Sequence, residues 1–246
     1  MTHPITQRFA IGITTALQMI ISMTLLGYVG TTSALKVPSY TITYEVVVKK
    51  FVAGDLVIDV SEDDKGIVTI HGETFPNMFA RTLGDGKVIE IIKYQKVNGS
   101  LRLQSVKEIK GKAQDQIRES VVNWKKKTIT TNGQTTAFTP NTQMDAYTMP
   151  FLRVLGLDEA SEDSETKVVS AKKAVDYIYE SPTKESLEVN NKLYEANRYS
   201  KYRSNNKNKK ISLWVSENTP VMPLKVEVSK KGKRHSWVTI TDIKHN

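Results

Sequence analysis

The sequence predicts an all-β fold: an antiparallel, strongly curved sheet or open barrel with one short helix, behind an N-terminal signal peptide. Three observations predict it. From Tyr40 onward hydrophobicity alternates with period two, and each run is bounded by residues that favour tight turns. The runs also follow one another too closely for βαβ crossovers, which leaves antiparallel meanders. At 246 residues and 39% apolar, the chain can bury a substantial core as one β-rich domain, expected over residues 35–246.

The chain opens differently. Residues 9 to 29, FAIGITTALQMIISMTLLGYV, carry no charge, and only Arg8 stands before them. A weakly positive start, an apolar stretch and the small-residue exit Thr32-Ser33-Ala34 read as a secretory signal peptide spanning residues 1–34, cut after Ala34. The expected location is the periplasm. The alternative is an inner-membrane anchor made by uncleaved residues 9–29, since about 20 apolar residues can span a bilayer. The chain has no cysteine, so an exported form holds together by packing and sheet hydrogen bonds, without disulfides or thiolate metal sites. Cleavage would take away Arg8 and no acidic residue, leaving 34 basic residues against 26 acidic ones. Such a balance favours polyanionic neighbours.

The strands follow in order. SYTITYEVVVKK, DLVIDVS, GIVTIHG, KVIEIIKYQKV and SLRLQSVKEI are short, β-branched or aromatic, and alternating. So are DQIRESVVNW, KTITT, AVDYIYES, ESLEVN, KKISLWVSE, PLKVEVSK and SWVTITDI. Asp64-Lys65-Gly66, Gly84-Asp85-Gly86, Asn98-Gly99, Asn132-Gly133 and Lys231-Gly232 supply the positive-φ positions that hairpins need. Between the first two strands, KKFVAGD predicts a reversal at Gly54, with Phe51 folded back as an apolar lid on the end of the sheet.

Two segments interrupt the alternation. In residues 142–157, TQMDAYTMPFLRVLGL, the residues Met144, Tyr147, Phe151 and Leu155 fall at helical spacing, with Asp145 as N-cap and Pro150 as a kink. This predicts the short helix, laid across the open side of the sheet. The acidic DEASEDSETK that follows, residues 158–167, reads as an exposed linker.

In the next stretch, NNKLYEANRYSKYRSNNKNKK, basic residues interleave with aromatics. Arg198, Lys201, Arg203, Lys207, Lys209 and Lys210 are expected to form a solvated basic hairpin that can contact an anionic membrane surface. The same pattern would suit nucleic acid in a cytosolic protein; export excludes that partner.

No nucleophile elbow, phosphate loop, dinucleotide fingerprint or zinc-protease helix is present. His71, His235 and His245 are not at metal-ligand spacing, and Glu62-Asp63-Asp64 lacks the alternating ligands of a calcium loop. No metal, cofactor or catalytic residue is expected.

Several motifs occur in a recognisable order: Tyr44-Glu45-Val46 with Ala53-Gly54-Asp55, then VVNWKKKTITT with Trp124, then QMDAYTMPFLRVLGL, then ISLWVSENTPVMPLKVEVSKKGK with Trp214 and Pro223. Over residues 40 to about 244 the chain thereby resembles the exported bacterial family known as domain of unknown function 3108. The resemblance implies an open barrel similar to periplasmic carriers of lipoproteins, and implies no catalytic residue.

The functional expectation is a non-enzymatic envelope protein that holds a lipid or other apolar ligand in its curved sheet. Trp124, Phe138, Phe151, Leu152 and Trp214 are the candidate lining residues. The alternative is a structural partner in an envelope assembly, using sheet edges or basic hairpins. A hydrolase would need a nucleophile–base pair that the sequence does not display.

Overall fold

The computed structural model describes residues 39–82, 86–98, 100–110, 116–140, 142–147, 165–217 and 222–245. Among them sixteen strands form. The first eight are β1 (Tyr40–Val48), β2 (Phe51–Glu62), β3 (Ile67–Pro76), β4 (Val88–Val97), β5 (Ser100–Lys110), β6 (Gln116–Asn123), β7 (Thr128–Thr131) and β8 (Gln134–Ala137). The rest are β9 (Gln143–Ala146), β10 (Glu165–Ser170), β11 (Lys173–Tyr179), β12 (Thr183–Val189), β13 (Lys192–Arg203), β14 (Asn206–Ser216), β15 (Pro223–Lys230) and β16 (Lys233–His245). One five-residue helix, α1 (Met78–Thr82), is present among the described residues.

The strands form one sheet, ordered β8-β7-β6-β5-β4-β3-β2-β1-β16-β15-β14-β13-β11-β10-β9, with β12 pairing β13 off this path. Every pairing is antiparallel except β9 with β10. The two ends do not pair with each other, so the sheet curves without closing into a barrel. Curvature has a local cause. Six register shifts, at Thr43/Tyr44, Val46/Val47, Lys93/Tyr94, Tyr202/Arg203, Trp214/Val215 and Val228/Ser229, bend and twist the strands that carry them.

Alternation places one face of each strand inside. Register then lines these residues up: Tyr40, Val60, Ile70, Ile92, Val106 and Ser120 are successive cross-strand partners, and all are buried. The sheet folds back over this row. Ser120 Oγ on β6 donates to the Ser170 carbonyl on β10 at 2.7 Å, and Tyr44 Oη on β1 donates to the Pro223 carbonyl at 2.9 Å.

Four sequence expectations change here. The reversal after β1 falls at Lys49-Lys50, both at positive φ, while Gly54 lies inside β2 as a bulge. Phe51 is 62% exposed and lids nothing; its ring meets Phe79 of α1 at 5.7 Å. The helix expected over 142–157 is a strand where described: Gln143–Ala146 runs parallel to Thr166–Val169, which buries Met144, Asp145 and Ala146. Helical spacing misled because the strand gains its partner from residues more than twenty positions away. The remainder of that segment, with Phe151 and Leu152, lies outside the described residues, as do residues 1–34. Finally, Glu165–Lys167 of the expected linker belong to β10.

Gly84, Asp85 and Gly99 lie outside the described residues, and α1 stands between β3 and β4 where a tight hairpin is expected; the other expected turns form. Gly66, Asn98, Asn132, Gly133, Lys231 and Gly232 all have positive φ at hairpin turns.

Candidate functional site

The interior divides into a filled part and a trough. Strands β9, β10 and β11 lie against the inner face of β5 to β7 and fill one end. Beside them lie three cavities of about 270, 240 and 150 Å³: the first between β4–β5 and β10, β11 and β13, the second along β1, β2 and β14 to β16, the third along β2 to β5. Tyr147 lines both of the larger ones, Leu56 lines the second and third, and Glu90 and Glu108 line the first and third. They are therefore neighbouring compartments of one trough.

Its composition is polarised. The second compartment is walled by Val46, Val48, Leu56, Val226, Val228 and Val238, and the third by Leu56, Ile58, Ile70, Val88 and Ile92. The first is charged: Glu90 and Glu108 from β4 and β5 face Tyr177 of β11 and Arg203 of β13, with Tyr147, Lys172 and Lys173 alongside. Glu108 is held by Lys172 at 3.1 Å and Arg118 at 3.5 Å. Burial raises the Tyr147 hydroxyl pKa above its ordinary value; nearby Arg203 and a bond with Tyr177 oppose that rise. Tyr147 is thus a neutral phenol at physiological pH, and it accepts from Lys209 Nζ.

Register builds the wall behind this compartment. β11 and β13 set Tyr177 opposite Arg203 and Tyr179 opposite Lys201. Arg203 Nε donates to Tyr177 Oη at 3.3 Å, and that bond raises the guanidinium pKa. Lys201 Nζ donates to Tyr179 Oη at 3.4 Å, and Tyr179 in turn donates to Asp145 Oδ2 at 3.1 Å. Asp145 Oδ1 also accepts from Tyr94 Oη at 3.1 Å and from the Ala146 N–H at 2.8 Å. Asp145 is 2% exposed and Lys201 1%. Burial, followed by the Asp145 charge, pushes the Tyr94 hydroxyl well above its ordinary range. The two phenols therefore supply hydrogen-bond partners to the buried Asp145 and Lys201 side chains.

The expected site residues are placed as follows. Trp124 donates its indole N–H to the Leu103 carbonyl at 2.8 Å and stacks edge-on against Phe138 at 5.4 Å; both pack on the core and line none of the three compartments. Trp214 is buried on β14, where its indole N–H bonds Glu185 and Lys225 sits over its ring, again away from the trough. The apolar lining was instead legible as the inner-facing valines of β1, β15 and β16, whose alternation the sequence displays. The basic cluster does not form one solvated face. Lys201 is interior, Arg203 bonds Tyr177, Lys209 bonds Tyr147, Arg198 pairs with Glu185 at 3.3 Å, and Lys210 pairs with Glu180 at 2.7 Å. Lys207 lies over the Tyr202 ring. The physical reason is β13's position: paired on both edges and covered on its inner side, it cannot keep all its cations in water.

His71 stands beside Asp59 on the outer face, Nδ1 to Oδ2 4.0 Å, away from the trough. Among the described residues no three His, Asp or Glu side chains gather as a metal site requires.

No family model matches the chain. No curated protein matches it either. Among solved structures it is similar to the crystal structure of a β-barrel-like protein of domain of unknown function DUF1849 from Brucella abortus. The TM-score is 0.54 at 9% identity, covering 87% of this chain and 100% of that one. At that identity the likeness is one of fold: a β-barrel-like architecture shared with a protein of unknown function.

Proposed function

We propose that this is an exported, non-enzymatic binding protein that holds an amphiphilic lipid, its acyl chain in the valine-lined trough and its polar head in the charged compartment. The observation that carries this reading is the change in polarity across three neighbouring compartments that share lining residues. An acyl chain gains where Val46, Leu56, Val228 and Val238 line the wall. A polar head finds Glu90, Tyr147 and Arg203 at the other end. Each compartment alone is smaller than the roughly 300–1,000 Å³ of ordinary ligand pockets, so a lipid would have to extend across more than one of them.

Titration of the protein with a fluorescent polyene fatty acid tests it. Saturable uptake is expected, displaced by phospholipid. Val228→Trp fills the trough and Val228→Asp puts a charge in it; each is expected to weaken uptake at least about tenfold with little change in melting temperature. Unsaturable uptake by the wild type, or unchanged uptake by both variants, would end the reading. A scaffold role is the second reading, favoured by the exposed β8, which among the described residues pairs with β7 alone and offers its other edge to another strand.

Export rests on the uncharged stretch before Ala34. N-terminal sequencing of the protein recovered from its cell of origin should begin at Leu35. Recovery from the membrane with Met1 intact means anchoring, and recovery from the cytosol removes the proposal.

A further inference from the structure

One end of the sheet carries an apolar surface that the fold holds out to solvent. Met78 is 82% exposed, Phe51 62% and Phe79 52%, and Val52 and Phe75 beside them are also exposed. These side chains are not on a loose loop. Asn77 donates its backbone N–H to the Ala53 carbonyl at 2.9 Å and its side-chain amide to the Val52 carbonyl at 2.7 Å. Its Oδ1 caps α1 by accepting the Ala80 N–H at 2.9 Å, and Arg81 Nε donates to the Pro76 carbonyl at 2.9 Å. Only Ala80 of the helix is buried, so α1 serves to present Met78 and Phe79.

Cations surround this surface. Lys49 and Lys50 form the turn directly before Phe51, Arg81 stands in the last turn of α1, and Lys87 lies over the Phe75 ring at 5.7 Å. The Lys49 N–H bonds the His235 carbonyl at 2.9 Å, which brings the β15–β16 hairpin with Lys230, Lys231, Lys233 and Arg234 to the same end. The Lys231 N–H bonds the Asn208 carbonyl at 2.7 Å and joins the β13–β14 turn with Lys207 and Lys209. His235 reports the field: desolvation, then Lys230, Lys49 and Lys209, lower its pKa. Lys87 and Arg234 have carboxylate partners in Glu73 and Glu227; among the described residues Lys49, Lys50, Lys231 and Lys233 have none.

We propose that this end of the molecule docks on an anionic phospholipid bilayer, with Phe51, Met78 and Phe79 entering the interface and the ring of lysines meeting the head-group phosphates. Charge complementarity selects this occupant. Bulky apolar side chains rimmed by unpaired cations match a surface whose interior is apolar and whose rim is anionic. A soluble apolar partner would leave the lysines without counter-charge. Val48, exposed beside Phe51, also lines the valine compartment, so the docked face adjoins the trough. Docking stands on the patch alone and does not require the trough to be occupied.

The chain has no cysteine, so Met78→Cys gives a single attachment point for a polarity-sensitive dye, with Thr135→Cys on β8 as control. Full-length protein is mixed with vesicles of phosphatidylglycerol or of phosphatidylcholine. The dye at position 78 is expected to shift to the blue and to be quenched by spin-labelled lipid on phosphatidylglycerol only, while the dye at 135 does neither. Lys49→Gln, Lys50→Gln and Lys233→Gln together should weaken the apparent vesicle affinity at that dye at least tenfold, and high salt should do the same. A dye at 78 that stays in water on anionic vesicles overturns the proposal. An equal shift on both vesicle types overturns the ionic half of the argument, and a shift without vesicles identifies a second copy of the chain as the occupant. Fatty-acid uptake, measured without vesicles, is unaffected by any of these results.

Discussion

Lys201→Met is expected to destabilise the protein by about 3–5 kcal/mol, the range for removing one member of a buried charged network. Methionine replaces the stem of the lysine without its charge, so packing against the Tyr177 and Tyr179 rings, 5.6 and 5.5 Å from the ammonium, largely survives. What is lost is the donor to Tyr179 Oη and the positive charge one hydroxyl away from Asp145. Asp145 keeps Tyr94, Tyr179 and the Ala146 N–H as donors but loses the nearby charge of Lys201. Adding Asp145→Asn to Lys201→Met should return some of the loss, with a coupling energy of about 1 kcal/mol or more. Urea unfolding of the two single variants and the double variant measures this. Additive losses, or a Lys201→Met protein as stable as wild type, would show that the tyrosine-bridged network carries no such coupling.

The second large effect is at Gly54. Its φ is 142°, and a Cβ built there would stand 2.1 Å from the Phe75 carbonyl oxygen and 2.8 Å from Pro76 Cα. Neither neighbour is a flexible side-chain end; both are backbone of β3, which pairs Pro76 directly opposite Gly54. Gly54→Ala must therefore push β2 and β3 apart or flatten the bulge. The combined strain and overpacking should cost about 3 kcal/mol, which is roughly 10 °C in melting temperature for a chain of this size. Gly133→Ala is the comparison, because it shares a positive φ of 84° but has nothing within 4 Å. It should cost only about 1 kcal/mol. Equal melting temperatures for the two variants would mean that the close approach at Gly54 relaxes freely. Because Ala53 and Pro76 also anchor Asn77 and α1, Gly54→Ala should in addition weaken the dye response at position 78.

Much of this architecture is legible in the residues themselves. Alternation along Tyr40–Val48, Ile67–Pro76 and Lys233–His245 identifies strands because a half-buried strand must present every second residue to the core. Asn132-Gly133 and Lys231-Gly232 identify hairpins because their backbone demands positive φ. Period and turn chemistry are local properties, so the antiparallel, curved all-β class and twelve of the sixteen strands could be read directly, while β8, β9, β10 and β13 are not among the expected runs. Composition likewise excluded disulfides, since there is no cysteine to form them.

Tertiary structure alone decided the rest, because it depends on which distant residues become neighbours. Met144 and Asp145 have helical spacing toward Tyr147, yet pairing with β10 makes them a strand and turns Asp145 into the acceptor for Tyr94 and Tyr179. Lys201 reads as a surface cation in its own segment; pairing with Tyr179 on one edge and Ile211 on the other carries it inside. Gly54 reads as a turn until the Val46/Val47 register shift makes it a bulge against Pro76. Trp124, Phe138 and Trp214 are large enough to be either lining or core, and side-chain size does not distinguish the two. Cross-strand register does, since a shift of one residue moves a side chain to the opposite face, and register is settled only when the whole sheet is assembled.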